Sequence, residues 1–100
     1  MIRVGIAGGA GYTAGELIRL LVNHPHAELK YIQSESHKGE PIGSVHSDLI
    51  YSPLRFADID FNDIDVLFIC MGHGNSAKFL SENPVPSGVK IIDPVSYTHL

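Results

Sequence analysis

Apolar residues at Ile2, Val4, Ile6 and Ala7 form a short run of the kind a strand buried in a parallel sheet requires, and the run stops at a cluster of glycines. Beyond the glycines the spacing becomes helical. Ala14, Leu17, Ile18, Leu21 and Val22 predict one apolar face, with Glu16, Arg19 and Asn23 largely off it. Pro25 ends this helix, because it cannot continue the hydrogen-bond ladder and disfavours helix in the residue before it. A second strand is expected over 28–34, with Leu29, Tyr31 and Ile32 as its apolar content. Residues 39–53 have no strong period. Pro41, Gly43, Ser44, Ser47 and Pro53 predict irregular chain there, with Ile42, Val45, Leu49 and Ile50 tucked inward, and a short strand is expected within 54–61. The apolar run 66–71 predicts a third buried strand. It ends at Gly72-His73-Gly74-Asn75-Ser76, where Asn75 or Ser76 is placed to cap a short helix through Ala77, Phe79 and Leu80, stopped by Asn83-Pro84. A further core strand is expected at 89–92, with Asp93 at its end.

Strands alternating with helices predict an α/β fold, a parallel sheet of strands near 2–7, 28–34, 66–71 and 89–92 with right-handed crossovers. The 100 residues suffice for one domain, and no internal repeat or low-complexity linker divides them. A formal charge of −4 leaves no electrostatic footprint for nucleic acid or an anionic membrane. There is no run of about eighteen apolar residues to span a bilayer, and a glycine turn stands where a signal peptide would have its cleavage region, so a cytoplasmic location is expected. The single cysteine cannot form an internal disulfide.

The candidate chemistry lies in Gly8-Gly9-Ala10-Gly11-Tyr12-Thr13, directly after a strand and opening a helix. Gly8 and Gly11 permit backbone angles and close approaches that a Cβ would block, so a pyrophosphate can meet main-chain N–H groups at the positive end of the helix. Ala14 fills the third position of the spaced fingerprint, where a small residue lets helix and strand pack closely. The context is that of a Rossmann-like dinucleotide site. The end of the second strand is where such folds meet the adenosine ribose. Ser34, Ser36 and Lys38 suit the 2′-phosphate of NADP, while Glu35 would repel it if turned inward; the balance favours NADP. The turn Gly72, His73, Gly74 falls at the carboxyl end of the next strand and is expected to touch the cofactor, with His73 either a polar wall of the cleft or a loop histidine satisfying nearby carbonyls.

Other reactive residues carry no site. Cys70 sits inside a continuous apolar strand and reads as a small buried hydrophobe rather than a nucleophile. The six histidines lack zinc-ligand spacing, and Asp58, Asp60, Asp63 and Asp65 lack the glycine and terminal glutamate of a calcium loop, so no metal site is expected.

The stretch from Val4 through Gly8-Gly9-Ala10-Gly11-Tyr12-Thr13-Ala14-Gly15-Glu16 to Leu17 resembles the amino terminus of the N-acetyl-gamma-glutamyl-phosphate reductases, enzymes of arginine biosynthesis. Residues 39–49, with Pro41 and His46, and residues 65–74 agree with that family in order and spacing. The resemblance covers residues 1–93 and implies an incomplete nucleotide-binding domain of the semialdehyde dehydrogenase type. It also implies NADPH as cofactor, N-acetyl-glutamyl phosphate as substrate and a homo-oligomeric full enzyme. In that family a cysteine well downstream, after an Asn-Pro-Gly turn, attacks the acyl phosphate and expels phosphate, and the thioester is reduced to the semialdehyde. No Asn-Pro-Gly-Cys occurs here, so no catalytic residue is expected in this chain. The family carries a basic residue near the place of Glu35. It also continues from the aspartate with Leu-Ser-Ala-Asp-Phe-Arg, whereas residues 94–100 read Pro-Val-Ser-Tyr-Thr-His-Leu, a tail expected to be foreign. The alternatives are an aspartate-semialdehyde dehydrogenase-like reductase, which shares this domain type, and a non-enzymatic dinucleotide sensor.

Overall fold

A computed structural model describes residues 1–72 and 75–94. Strand β1 (Ile2–Ala7) runs into helix α1 (Tyr12–Val22), followed by β2 (Ala27–Gln33), β3 (Val66–Ile69), helix α2 (Asn75–Glu82) and β4 (Lys90–Ile92). The four strands are all parallel in the order β2-β1-β3-β4. Ile6 pairs with Ile32 on one side and Phe68 on the other, which puts β1 at the centre.

Both faces of the sheet are covered along β1 and β3, which explains why these two strands read as apolar runs rather than as alternation. Val4 and Ile6 of β1 join Ile32, Ala14 and Ile18 of α1, Ile42 and Phe56 in one buried cluster. Ala7, Leu67 and Ile69 join Ile64 and Phe79 of α2 in the other. Phe61 and Phe79 close the second cluster edge to face, with ring centroids 6.1 Å apart.

Several expectations need correction. Residues 54–61 do not form a strand: Arg55 and Phe56 make two isolated bridges, to Pro41 and Ile32, and Phe61–Asp63 is a 3-10 turn. The segment is held by single bonds, Phe56 N–H to the Glu40 carbonyl and Ala57 N–H to the Ile32 carbonyl, each 2.9 Å. Ile50 does not tuck inward but is 65% exposed, because its backbone packs on Gly43, where a Cβ would come within 2.6 Å of the Ile50 Cα. Val22 is exposed at the last residue of α1, level with the start of β1, where Ile2 is exposed too. Strand β4 has all three residues exposed rather than buried in the core, since among the described residues no strand lies beyond it in the order. Asn75 begins α2, so Asn75 and Ser76 lie inside its first turn rather than ahead of it. Among the described residues no helix is long and apolar enough to cross a membrane.

A charged network ties the first three strands together at the start of the sheet. The Arg3 guanidinium reaches Asp65 at 3.1 and 3.2 Å and Asp63 at 3.2 Å, and its backbone N–H donates to Asp65 at 2.8 Å. Asp63 also receives Lys30 Nζ at 2.7 Å and the Tyr31 hydroxyl at 2.9 Å. Hydrogen bonds from Lys30 and Tyr31 hold the Asp63 carboxyl below its ordinary value, and those from Arg3 do the same for Asp65. A depressed folded pKa contributes stability that is fully present above the unfolded value, about 3.9, and is lost as pH falls through the folded value. Thermal unfolding measured from pH 6 down to pH 2 should therefore show the midpoint falling below about pH 4. In Asp65→Asn the midpoint should be lower at pH 6 and the acid limb shallower. Superimposable limbs for parent and variant would remove the network from the stability balance.

Candidate binding cleft

Strand β1 ends at Ala7, and the chain turns through four residues into α1. Gly8 has φ +78°, the left-handed region, and a Cβ there would stand 2.9 Å from Met71 Cγ and 3.0 Å from the Cys70 carbonyl oxygen. Gly9 is under a second constraint, since a Cβ would overlap Ile32 Cγ2. Gly8 N–H donates to Gln33 Oε1 at 3.0 Å and Gly9 N–H to the Gln33 carbonyl at 2.7 Å, so the turn is laced to the end of β2.

The turn is also held from below. His46, 6% exposed, places Nε2 2.8 Å from the Gly9 carbonyl oxygen; a carbonyl only accepts, so Nε2 carries the proton. The same ring lies against α1, where a Cβ on Gly15 would meet Nδ1 at 2.8 Å. His46 therefore fills the space left by Gly15 and fixes Gly9 from a loop thirty-seven positions away. Its sequence context signalled none of this, because a lone loop histidine has no spacing relation to a glycine turn.

Gly11 is the opposite case. It is the N-cap of α1 with extended φ −81° and ψ 172°, and a Cβ there would meet nothing within 4 Å. No side chain caps the helix and its first turn holds no acidic residue, so its leading N–H groups are left to an outside acceptor. Ala14 is fully buried against the sheet, as the fingerprint requires, while Tyr12 is 83% exposed and Thr13 is exposed.

A cleft of about 400 Å³ opens over this turn. Gly8, Ala10 and Gly11 form one wall, and Ser34, Glu35 and Ser36 after β2 form another. Met71 and Asn75, flanking the turn expected beside the glycines, form a third wall with Lys78 and Glu82 of α2, two residues that the sequence did not single out. An adjoining hollow of about 330 Å³ shares Ser34 and Glu35 and is lined further by Lys38, Asp58 and Phe61. Of the residues expected at the cofactor, Gly8, Ala10, Gly11, Ser34 and Ser36 converge on the larger cleft. Gly9 lies beneath the turn, and Tyr12 and Thr13 begin the helix beside it. Lys38 does not line the larger cleft; its Nζ is 2.6 Å from Asp58 Oδ2 in the adjoining hollow. Gly72 precedes α2, its carbonyl accepting from Asn75 N–H at 3.1 Å, but is not part of the cleft wall. His73 and Gly74 lie outside the described residues.

Cys70 is half-buried just past β3, its N–H bonded to the Ala7 carbonyl at 2.8 Å. Burial, with the charge of Asp93 adding to it, pushes the thiol up to about 11, which leaves it protonated at neutral pH. Among the described residues no three histidine, cysteine or acidic side chains cluster to hold a metal.

The chain matches the family model described as semialdehyde dehydrogenase, NAD binding domain, over residues 3–98. It is 52% identical over 95 residues to the N-acetyl-gamma-glutamyl-phosphate reductase of Phocaeicola vulgatus and 53% identical over 95 residues to that of Bacteroides thetaiotaomicron. In each case 93% of this chain and 30% of the relative are covered, so the chain spans about a third of the length of these relatives. Among solved structures it is similar to an aspartate semialdehyde dehydrogenase with NADP from Candida albicans. That similarity has a TM-score of 0.74 at 18% identity and covers 93% of this chain and 29% of the other, a likeness of fold.

The packing of His46 on Gly15 generates a stability test. A Gly15→Ala chain must displace the ring and with it the Gly9 hydrogen bond, and should lose roughly 1–3 kcal/mol in urea denaturation, as overpacked buried sites do. A variant as stable as the parent would show that the ring is not held where described.

Proposed function

The chain belongs to the semialdehyde dehydrogenase family through its NAD-binding domain, and from that premise we propose that it is the NADPH-holding part of an N-acetyl-gamma-glutamyl-phosphate reductase. The observation that carries this reading is the continuity of the cleft from the uncapped start of α1 to the end of β2. A dinucleotide needs those two places at once, an anion site for its pyrophosphate and a polar rim for its adenosine ribose.

The residues present fit that ligand. Gly11 leaves an open approach to the first-turn N–H groups of α1, whose partial positive charge suits a pyrophosphate. Ser34 and Ser36 line the side of the cleft where the ribose belongs, and Glu35 beside them suits a hydroxyl better than a phosphate. When bound, the cofactor supplies hydride. The chain's own residues bind and orient it, and the turn of Gly8 and Gly9 keeps that geometry fixed against Met71 and Ile32. The half-sequence identity to reductases of this name supports N-acetyl-glutamyl phosphate as substrate of the whole enzyme, with the attacking thiolate outside this chain. A cytoplasmic location and a homo-oligomeric full enzyme belong to the same reading.

Gly11→Val is a selective test, because the fold has room for the side chain and the ligand does not. The variant should stay folded with a helix-cap cost of about 1 kcal/mol. It should lose roughly 2–3 kcal/mol of NADPH affinity, the scale of a lost hydrogen bond to a charged group, in isothermal titration. Unchanged affinity would sink the assignment of the turn.

The chain by itself should show no reductase turnover with NADPH and N-acetyl-glutamyl phosphate, followed by the absorbance of the reduced nicotinamide. Turnover that Cys70→Ser abolished would mean that this thiol is the nucleophile after all.

A further inference from the structure

The walls of the cleft carry an unequal set of charges. Glu35 and Glu82 both line it, and among the described residues Lys78 is the one cation that does. Lys38, nearer in sequence to the ribose end, is engaged by Asp58 at 2.6 Å and lines only the adjoining hollow. The cations Arg3, Arg19 and Lys30 are ion-paired elsewhere, at the start of the sheet or on the outer side of α1. Lys78 is exposed on α2 and enters no ion pair among the described residues, even though Glu82 stands four positions on along the same helix.

A phosphate on the adenosine ribose adds close to two negative charges to a cleft that already holds two carboxylates, and without a cation it would be rejected. A free 2′-hydroxyl meets no such penalty and can donate to Glu35. The discrimination therefore turns on what offsets Glu35.

We propose that Lys78 of α2 is the specificity-determining cation of the cleft, pairing with the 2′-phosphate of NADP across from Ser34 and Ser36, in the place that the sequence alone would have given to Lys38. The proposal rests on the reading of the cleft as a dinucleotide site and goes beyond it by naming the residue that selects between the two dinucleotides. An ammonium on a flexible stem acts here as a point charge, so arginine should substitute for it and a neutral isostere should not.

The test is equilibrium titration of the protein with NADPH and NADH, and with 2′-phospho-AMP and AMP as fragments that differ only in the 2′-phosphate. Lys78→Met should weaken NADPH and 2′-phospho-AMP about tenfold, the size of one charge-assisted contact, and leave NADH and AMP unchanged. Lys78→Arg should retain the preference. An unchanged NADPH-to-NADH ratio in Lys78→Met overturns the proposal, and so does an equal loss for both dinucleotides, which would make Lys78 a general contact. A preference that vanishes in Lys38→Met and survives in Lys78→Met returns the role to Lys38 and overturns it as well. If the parent binds neither dinucleotide, the reading of the cleft fails and the proposal with it; if the parent binds both equally, the cleft stands and the selective role of Lys78 fails alone.

Discussion

Close packing around the turn between β1 and α1 is the constraint on which the rest of the structure depends. Gly8 is pressed against Met71 and the Cys70 carbonyl, Gly9 against Ile32, and Gly15 one turn into the helix against His46. Each contact comes from a different part of the chain: the end of β3, the end of β2 and the loop after it. A Cβ at any of the three would push one of those parts away, so the glycines set the distance at which two strands, a helix and a loop can meet. Gly11 alone in this series faces open space, where it lines the candidate cleft.

The two ends of the sheet divide the work. Where the chain enters β1 and β3, charges are matched within the protein: Arg3, with Lys30 and Tyr31 from the middle of β2, converges on Asp63 and Asp65. At the opposite ends, donors and charges are left over, the first-turn N–H groups of α1, the serines after β2, and Lys78 on α2. A parallel sheet makes this separation natural, because all its strands deliver their carboxyl ends to one side, where helix N-termini also begin. Charges are matched within the protein at one end, and the candidate cleft opens at the other.

The loop after β2 serves both ends. Ile42 and Phe56 complete the core under α1, and His46 of the same excursion reaches the glycine turn. Asp48 binds Arg19 of α1 at 2.8 Å and clamps the loop to the outer side of the helix. This apparently irregular stretch is as fully integrated as the regular elements.

The apolar runs, the change of period at the glycines, Pro25 and Asn83-Pro84 were enough by themselves to place the four sheet strands and the two helices in order, because burial and breaks in the backbone ladder are local demands written in local residues; the strand expected within 54–61 was not formed, because that segment meets its neighbours only at isolated bridges. The glycine turn was legible for the same reason: a fingerprint joining a strand to a helix is contained in about ten consecutive positions. The resemblance carried by that turn extended the reading to a family. Tertiary structure alone decided the rest. Whether Lys38 or Lys78 lines the cleft follows from where the fold places each, with Asp58 standing 2.6 Å from Lys38 and no ion-pair partner for Lys78 among the described residues, and those three residues share no spacing. Exposure of β4, Val22 and Ile50 depends on where the sheet and the helix run out, and an apolar side chain does not record what lies beyond it. His46 became a support of the turn because the fold brought a loop under Gly9 and Gly15, and such a contact exists only once distant segments have been packed together.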